Sequence, residues 1–154
     1  FCAGMALGGL IPVFAVYSSF LQRAYDQVLE DVCLQKLHVV FAIDRAGLVG
    51  ADGETHQGVF DLSYLGTMPN MTIMDTKNKW ELSDMMKFAV AFDGPIAIRY
   101  PRGEAYCGLE EFRAPVELGK SELIKKGKKV LVLALGSMVK EGEEALALLE
   151  KDGI

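Results

Sequence analysis

The chain has 154 residues, 51% of them hydrophobic, enough to bury the core of one compact domain or of one domain plus part of another. Its 16 Lys and Arg against 21 Asp and Glu leave a net charge of −5, which excludes the basic face that nonspecific nucleic-acid binding needs. The scattered cysteines, Cys2, Cys33 and Cys107, form no CxxC pair and no metal-ligand spacing, and fit reduced thiols in a cytoplasmic compartment.

Residues 2–8 read as the end of a helix, stopped by Gly8 and Gly9. The apolar stretch 2–16 is interrupted by Pro12 and is too short to cross a bilayer, so no membrane association is expected. No basic region precedes it, so it is not a signal peptide. The chain begins at Phe1 rather than Met, and is expected to start inside a longer protein or to be processed. The first strand is expected at 11–16.

The clearest helix is 20–36. Phe20, Leu21, Ala24, Tyr25, Val28, Leu29 and Val32 recur at helical spacing, with polar residues on the other face. Ser19 is the expected cap, with Gln22 completing a capping box. Cys33 falls in the pattern as a small core residue. The run 39–43 is continuously apolar, as expected of a strand covered on both faces. A polar loop with four glycines follows at 45–58, long enough to suggest function. It offers few apolar anchors and is expected to be mobile. A short helix at 60–65, a strand at 71–74, a helix at 80–92 and a strand at 95–100 come next. After Gly103 the pattern turns irregular. Five lysines lie between 120 and 129, followed by an expected strand at 130–135 and helix at 139–150. The alternation predicts an α/β fold: a parallel sheet with helices on both faces, followed by a βα segment that opens a second α/β domain.

Ligands of such sheets bind beyond the carboxyl ends of the strands. The first strand delivers Tyr17 there, the second Asp44 and Arg45, and the fourth Arg99, Tyr100 and Arg102. Guanidinium forks and a phenol suit a phosphate or carboxylate, although Asp44 pairing with Arg99 or Arg102 explains the same residues. The loop holds Asp52, Glu54 and His56 between glycines, a set capable of proton transfer or simply of solvation. His38 opens a strand and reads as structural. Phe20 and Arg23 lie one turn apart just past Tyr17; an aromatic face beside a cation could hold a flat heterocycle, and Phe20 fits ordinary core equally well.

Four runs carry a resemblance: Tyr17-Ser-Ser-Phe-Leu-Gln-Arg-Ala-Tyr-Asp-Gln-Val, Ala42-Ile-Asp-Arg-Ala-Gly, Gly50-Ala-Asp-Gly-Glu-Thr-His-Gln-Gly and Arg99-Tyr-Pro-Arg-Gly. In this order and spacing they resemble the 1-deoxy-D-xylulose-5-phosphate synthase family of the transketolase superfamily, over essentially the whole chain. The resemblance implies a thiamine-diphosphate pyrimidine-binding domain at 1–103, a linker at 104–118 and the start of a C-terminal transketolase-like domain at 119–154. It implies condensation of pyruvate with D-glyceraldehyde 3-phosphate with loss of carbon dioxide. Phe20 and Arg23 match the cofactor's aminopyrimidine platform. Tyr17, Arg45 and Arg102 match the group that holds the substrate phosphate. Asp52 and His56 match catalytic loop residues. Thiamine diphosphate is the implied cofactor, with Mg2+ whose ligands lie outside this chain. The implied partners are the N-terminal domain of the same protein and a second copy in a homodimer, in the cytoplasm, or in a plastid if the source is a plant. The family's activating glutamate belongs just before Phe1 and its magnesium-diphosphate domain is elsewhere, so the 154 residues alone are expected to be inactive. Asp75–Thr76 departs from the small residue and proline often found there. Same-class rivals are a transketolase or a 2-oxo-acid dehydrogenase β subunit; a noncatalytic phosphate-binding or dimerisation module is the rival from another class.

Overall fold

A computed structural model describes residues 1–153. The strands β1 (Val13–Tyr17), β2 (Val40–Asp44), β3 (Thr72–Asp75) and β4 (Ile96–Arg99) form one parallel sheet in the order β1-β2-β4-β3. The last strand in sequence is therefore inserted between its two predecessors. Val40, Phe41, Ala42 and Ile43 of β2 and Ile96, Ala97 and Ile98 of β4 are all buried. That is why both inner strands read as continuous apolar runs rather than alternating ones.

Successive side chains along each strand serve opposite faces. On one face Phe41, Ile43 and Ala97 meet Leu21, Val28, Val32, Cys33, Leu65 and Met68. Leu21, Val28, Val32 and Cys33 belong to the helical run α2 (18–33), Leu65 ends α3 (Asp61–Leu65) and Met68 follows it, with the short α1 (Cys2–Leu7) alongside. On the other face Val40, Ile96, Ile98 and Met74 meet Ala89, Leu82, Met85 and Phe88 of α4 (Lys79–Ala91). Helices thus cover both faces, as the alternating pattern implied. Burial pushes the Cys33 thiol up to about 11, consistent with a core residue. His38 Nε2 lies 2.8 Å from the Ala89 carbonyl oxygen, a structural contact between the entry to β2 and α4.

The boundaries differ from expectation in instructive ways. The run α2 starts at Ser18, directly after β1, and is irregular: an α turn (Ser18–Leu21), a 3-10 turn (Gln22–Ala24), a further turn (Tyr25–Gln27) and a π-helical stretch (Val28–Cys33). The expected Ser19 cap does not form. Tyr17 occupies the capping position with extended backbone, so Ser19 lies inside the first turn and its hydroxyl is buried without a partner. The helix α4 is capped as its sequence allows. Asn78 accepts from the Glu81 amide (2.9 Å), and the Glu81 carboxylate accepts from the Lys77 amide (2.7 Å).

The expected strand at 130–135 does not form. Leu131 and Leu133 are exposed, and no strand lies beside this segment among the described residues. An apolar run becomes a strand only when a neighbour completes its hydrogen-bond ladder. The following helix, α5 (Met138–Lys151), does form. The segment after Gly103 is tied to the end of β3. Asn78 Nδ2 donates to the carbonyls of Gly108 (3.0 Å) and Leu109 (3.3 Å), and Lys77 Nζ pairs with Glu81 and Glu122, each at 2.7 Å.

A buried ionic cluster closes the carboxyl edge of the sheet. Arg99, at the end of β4, bonds Asp61 of α3 through Nε (2.7 Å) and Nη2 (3.1 Å), and pairs with Asp75 of β3. Asp61 is 0% exposed. Arg99 is therefore not free at the cleft, and it does not pair with Asp44. Asp75, the departure from the family pattern, is a second carboxylate on a guanidinium that already has one. Replacing Asp61 by Ala leaves Arg99 paired with Asp75 alone and its Nε and Nη2 donors buried without partners, and is expected to cost about 1–3 kcal/mol in chemical denaturation of the complete protein. Burial raises the Asp75 pKa, against the opposing pull of Arg99. The folded state then holds this proton at pH values where the unfolded chain has released it. Stability falls as pH rises from the ordinary aspartate range to the raised value, and the penalty is complete above it. The melting temperature of wild type relative to Asp75→Asn is expected to decline as pH rises from the ordinary aspartate range near about pH 4. A constant difference across that window would show that Asp75 titrates normally.

Candidate active site

The sheet register brings the functional ends together. Tyr17 is aligned with Asp44, and Ile43 with Arg99, so the residues after β1, β2 and β4 emerge side by side. Arg45 follows β2 with φ 57, a left-handed conformation that costs an ordinary residue roughly 1–2 kcal/mol. Its amide donates to Asp44 Oδ1 (2.7 Å) and its Nη1 to Asp44 Oδ2 (2.5 Å). Its Nε donates to Asp52 Oδ2 (2.8 Å), and its Cζ stands 3.8 Å from the centroid of the Tyr17 ring. Arg102 Nε lies 3.4 Å from Asp52 Oδ1, so Asp52 bridges the two arginines. Desolvation opposes the Arg45 charge, but Asp44, Tyr17 and Asp52 outweigh it and raise its pKa.

The aromatic part of the site follows from the abrupt start of α2. Because the helix begins at Ser18, Phe20 sits in its first turn at the strand edge. Its ring stacks on Tyr17 with centroids 5.4 Å apart and planes 8° apart. His56 meets Phe20 edge-on at 5.0 Å, and Arg23 Cζ lies 5.6 Å from the Phe20 centroid. Phe20 remains 38% exposed, which removes it from the core.

The loop 45–58 is better anchored than its composition suggests. Gly47 and Gly58 form an antiparallel bridge, N to O at 2.7 and 2.9 Å, and the Ala46 amide donates to the Tyr100 carbonyl at 3.0 Å. Ala46 and Val49 are buried. The Gln57 amide spans the loop: Oε1 accepts from the Val49 amide (2.7 Å), and Nε2 donates to the carbonyls of Val49 (2.8 Å) and Gly53 (2.6 Å). The expected lack of anchors is thus corrected. Two buried apolar residues, Ala46 and Val49, and one side-chain amide anchor the loop. Gly58 sits against the start of α2, where a Cβ would overlap the Arg45 carbonyl oxygen and lie 2.8 Å from Ser18 Cβ.

Residues 1–106 match the family described as "Transketolase, pyrimidine binding domain". The chain belongs to that family. It is 54% identical over 154 residues to a protein of Lachnoclostridium phytofermentans named 1-deoxy-D-xylulose-5-phosphate synthase, covering 100% of this chain and 25% of the relative. The protein of that name from Clostridium acetobutylicum is 57% identical over 157 residues, covering 99% and 25%. Among solved structures, a split-gene transketolase described as an inactive β4 tetramer superposes with a TM-score of 0.87 at 30% identity, over 99% of this chain and 49% of that one. The chain spans about a quarter of the length of the curated relatives it matches.

Within this pyrimidine-binding domain the seven residues to which the resemblance gave site roles form one contiguous set, whereas Arg99 stands apart from it. Arg102 touches Asp52, Asp52 touches Arg45, Arg45 covers Tyr17, Tyr17 stacks on Phe20, and Phe20 meets both Arg23 and His56. Sequence reasoning missed Gln57 and Asp61. Gln57 stood in the quoted loop run but carried no charge to draw notice, and Asp61 read as one more polar residue at a helix start. A methyl group at position 58 must displace the Arg45 backbone or Ser18. Gly58→Ala is expected to destabilise the complete protein by about 1–3 kcal/mol, read as a lowered denaturation midpoint.

Proposed function

We propose that this domain is the pyrimidine-binding part of a 1-deoxy-D-xylulose-5-phosphate synthase, which condenses pyruvate with D-glyceraldehyde 3-phosphate with loss of carbon dioxide. The observation that carries the reading is the joining of two arginines, an open aromatic platform and a braced His–Asp loop in one contact chain. The similarity of all 154 residues of this chain to part of proteins of that name supports it. The division into a domain at 1–103, a linker at 104–118 and the opening of a C-terminal domain at 119–154 belongs to the same proposal. So do the Mg2+ ion, held by residues outside this chain, and the homodimer.

The platform suits thiamine diphosphate. Phe20 keeps open surface beside a cation and an imidazole, a chemistry that accepts a flat, partly charged heterocycle. When bound, the cofactor supplies the carbanion chemistry that cleaves a bond next to a ketone. Phe20 and Arg23 orient its ring. Arg102 and Arg45 bind the aldehyde's phosphate, with Tyr17 as a further donor. A phosphate brings three acceptor oxygens and close to two charges against the single charge of Asp52, so it competes well for both arginines. Phosphate entry then frees the Asp52 carboxylate to face the substrate carbons. His56, hydrogen-bonded to Thr55 Oγ1 through Nδ1 (2.6 Å), keeps Nε2 for a proton on the substrate hydroxyl.

In the complete enzyme, Arg102→Ala is expected to weaken glyceraldehyde 3-phosphate by about 1.5–3 kcal/mol while pyruvate changes little. Steady-state kinetics with each substrate varied in turn reads this, and equal weakening of both would remove Arg102 from the phosphate site. Phe20→Ala is expected to lower thiamine diphosphate affinity with little loss of melting temperature. The opposite pattern would make Phe20 a packing residue.

A further inference from the structure

The loop residues assigned to chemistry do not hold themselves in place. Asp52 lies at the end of a single 3-10 turn, Gly50–Asp52, and His56 sits in irregular backbone four residues on. Between them Gly53 has φ 72, and the intervening residues bury little. The bridge between Gly47 and Gly58 fixes the base of the loop but leaves its tip free. One side chain crosses the gap. The Gln57 amide bonds both polar groups of Val49, the residue that opens the Asp52 turn, and the Gly53 carbonyl that closes it. The Val49 carbonyl also accepts from the Asp52 amide at 3.2 Å. Gln57 therefore acts as one more rung above the backbone bridge. Its own main chain links His56 on one side to the pinned Gly58 on the other.

We propose that Gln57 is the positioning residue of this site: it sets the spacing between Asp52 on the arginines and His56 on the Phe20 ring. It touches neither substrate nor cofactor, and works only through the backbone it braces. The chemistry of the amide is specific. A bidentate pair to one residue's N–H and C=O needs a donor and an acceptor in one plane, which among side chains Asn and Gln supply and Glu does not. Gln57→Glu keeps an acceptor for the Val49 amide but turns a carboxylate toward two carbonyl oxygens. Gln57→Ala removes every bond.

The inference rests on the proposed function, and its test separates the two. In the complete enzyme, both variants are expected to lower kcat by about 10- to 100-fold, the cost of misplacing catalytic groups by about an ångström. The affinity for thiamine diphosphate should stay within about two-fold, because Phe20 and Arg23 lie on α2 and not on the loop. Amide hydrogen exchange of residues 49–53 should quicken in both variants. In an enzyme already carrying Asp52→Ala and His56→Ala, Gln57→Ala should lower the remaining rate by less than about two-fold, since there is nothing left to position. A full further loss in that background would overturn the proposal, as would a lowered kcat with unchanged exchange in the loop, which would make Gln57 a direct participant. If the wild-type enzyme made no deoxyxylulose phosphate, the functional reading would fall, and the exchange measurement alone would decide the brace: unchanged exchange in both variants refutes it.

Discussion

The start of α3, and with it one end of the loop that carries Asp52 and His56, depends on one buried charge, the guanidinium of Arg99. Its strand is inserted between β2 and β3, so Arg99 stands at the middle of the sheet's carboxyl edge. A guanidinium in that place must be neutralised, because the low-dielectric interior offers no water in exchange. Asp61 and Asp75 do so from opposite directions, one from the first turn of α3 and one from the neighbouring strand. The pair with Asp61 has a consequence for the loop. It fixes where α3 begins, three residues after Gly58. The other end of the loop is fixed by β2. The loop is thus strung between a strand end and an ion pair. Such a cluster adds little net stability compared with apolar packing, and its value lies in excluding other positions of α3.

The same residue types do the reverse a few ångströms away. Arg45 and Arg102 also meet carboxylates, but their side chains are 20% and 43% exposed and share Asp52 between them. Arg99 has no room for a third partner, whereas Arg45 and Arg102 do. Arg45 also holds a left-handed backbone. Strain of that kind persists only where the surroundings over-determine it, and here Asp44, Asp52 and the Tyr17 ring do so. An open aromatic ring and a strained arginine are both liabilities for stability. Their coincidence at the strand ends is what a binding site looks like in physical terms.

Much of this was legible in the sequence because strand ends can be read. Once 39–43 and 95–100 are taken as buried parallel strands, Arg45 and Arg102 must emerge at the same edge as Tyr17. The quoted runs added Phe20, Arg23, Asp52 and His56. What stayed hidden depended on register and on partners distant in sequence. Whether Arg99 points to the cleft or into a face is a matter of one residue in register. Its partner Asp61 lies 38 residues away with no local sign of the pairing. Ser19 had the composition of a cap, but β1 runs straight into the helix and leaves Tyr17 in that position. The run 130–135 had the composition of a strand, but composition does not supply the adjacent strand.

A phosphate-binding module would need only part of what is assembled here. Tyr17, Arg45 and Arg102 suffice to hold an anion, and a surface for a second copy would need apolar area rather than titratable groups. Neither task explains why an imidazole is turned edge-on to an open phenylalanine, or why an uncharged amide spends its bonds on Val49 and Gly53, the two residues that flank the turn carrying Asp52. Ordering a polar loop against its conformational entropy costs on the order of 1–2 kcal/mol per residue. An anion site would gain nothing from ordering the tip at His56, because the anion's contacts would be to Arg45 and Arg102. A site that must present an acid–base group and a carboxylate to one small substrate gains the whole benefit of fixed geometry. The distribution of order within the loop therefore favours the catalytic reading over the binding module on physical grounds that are independent of family resemblance.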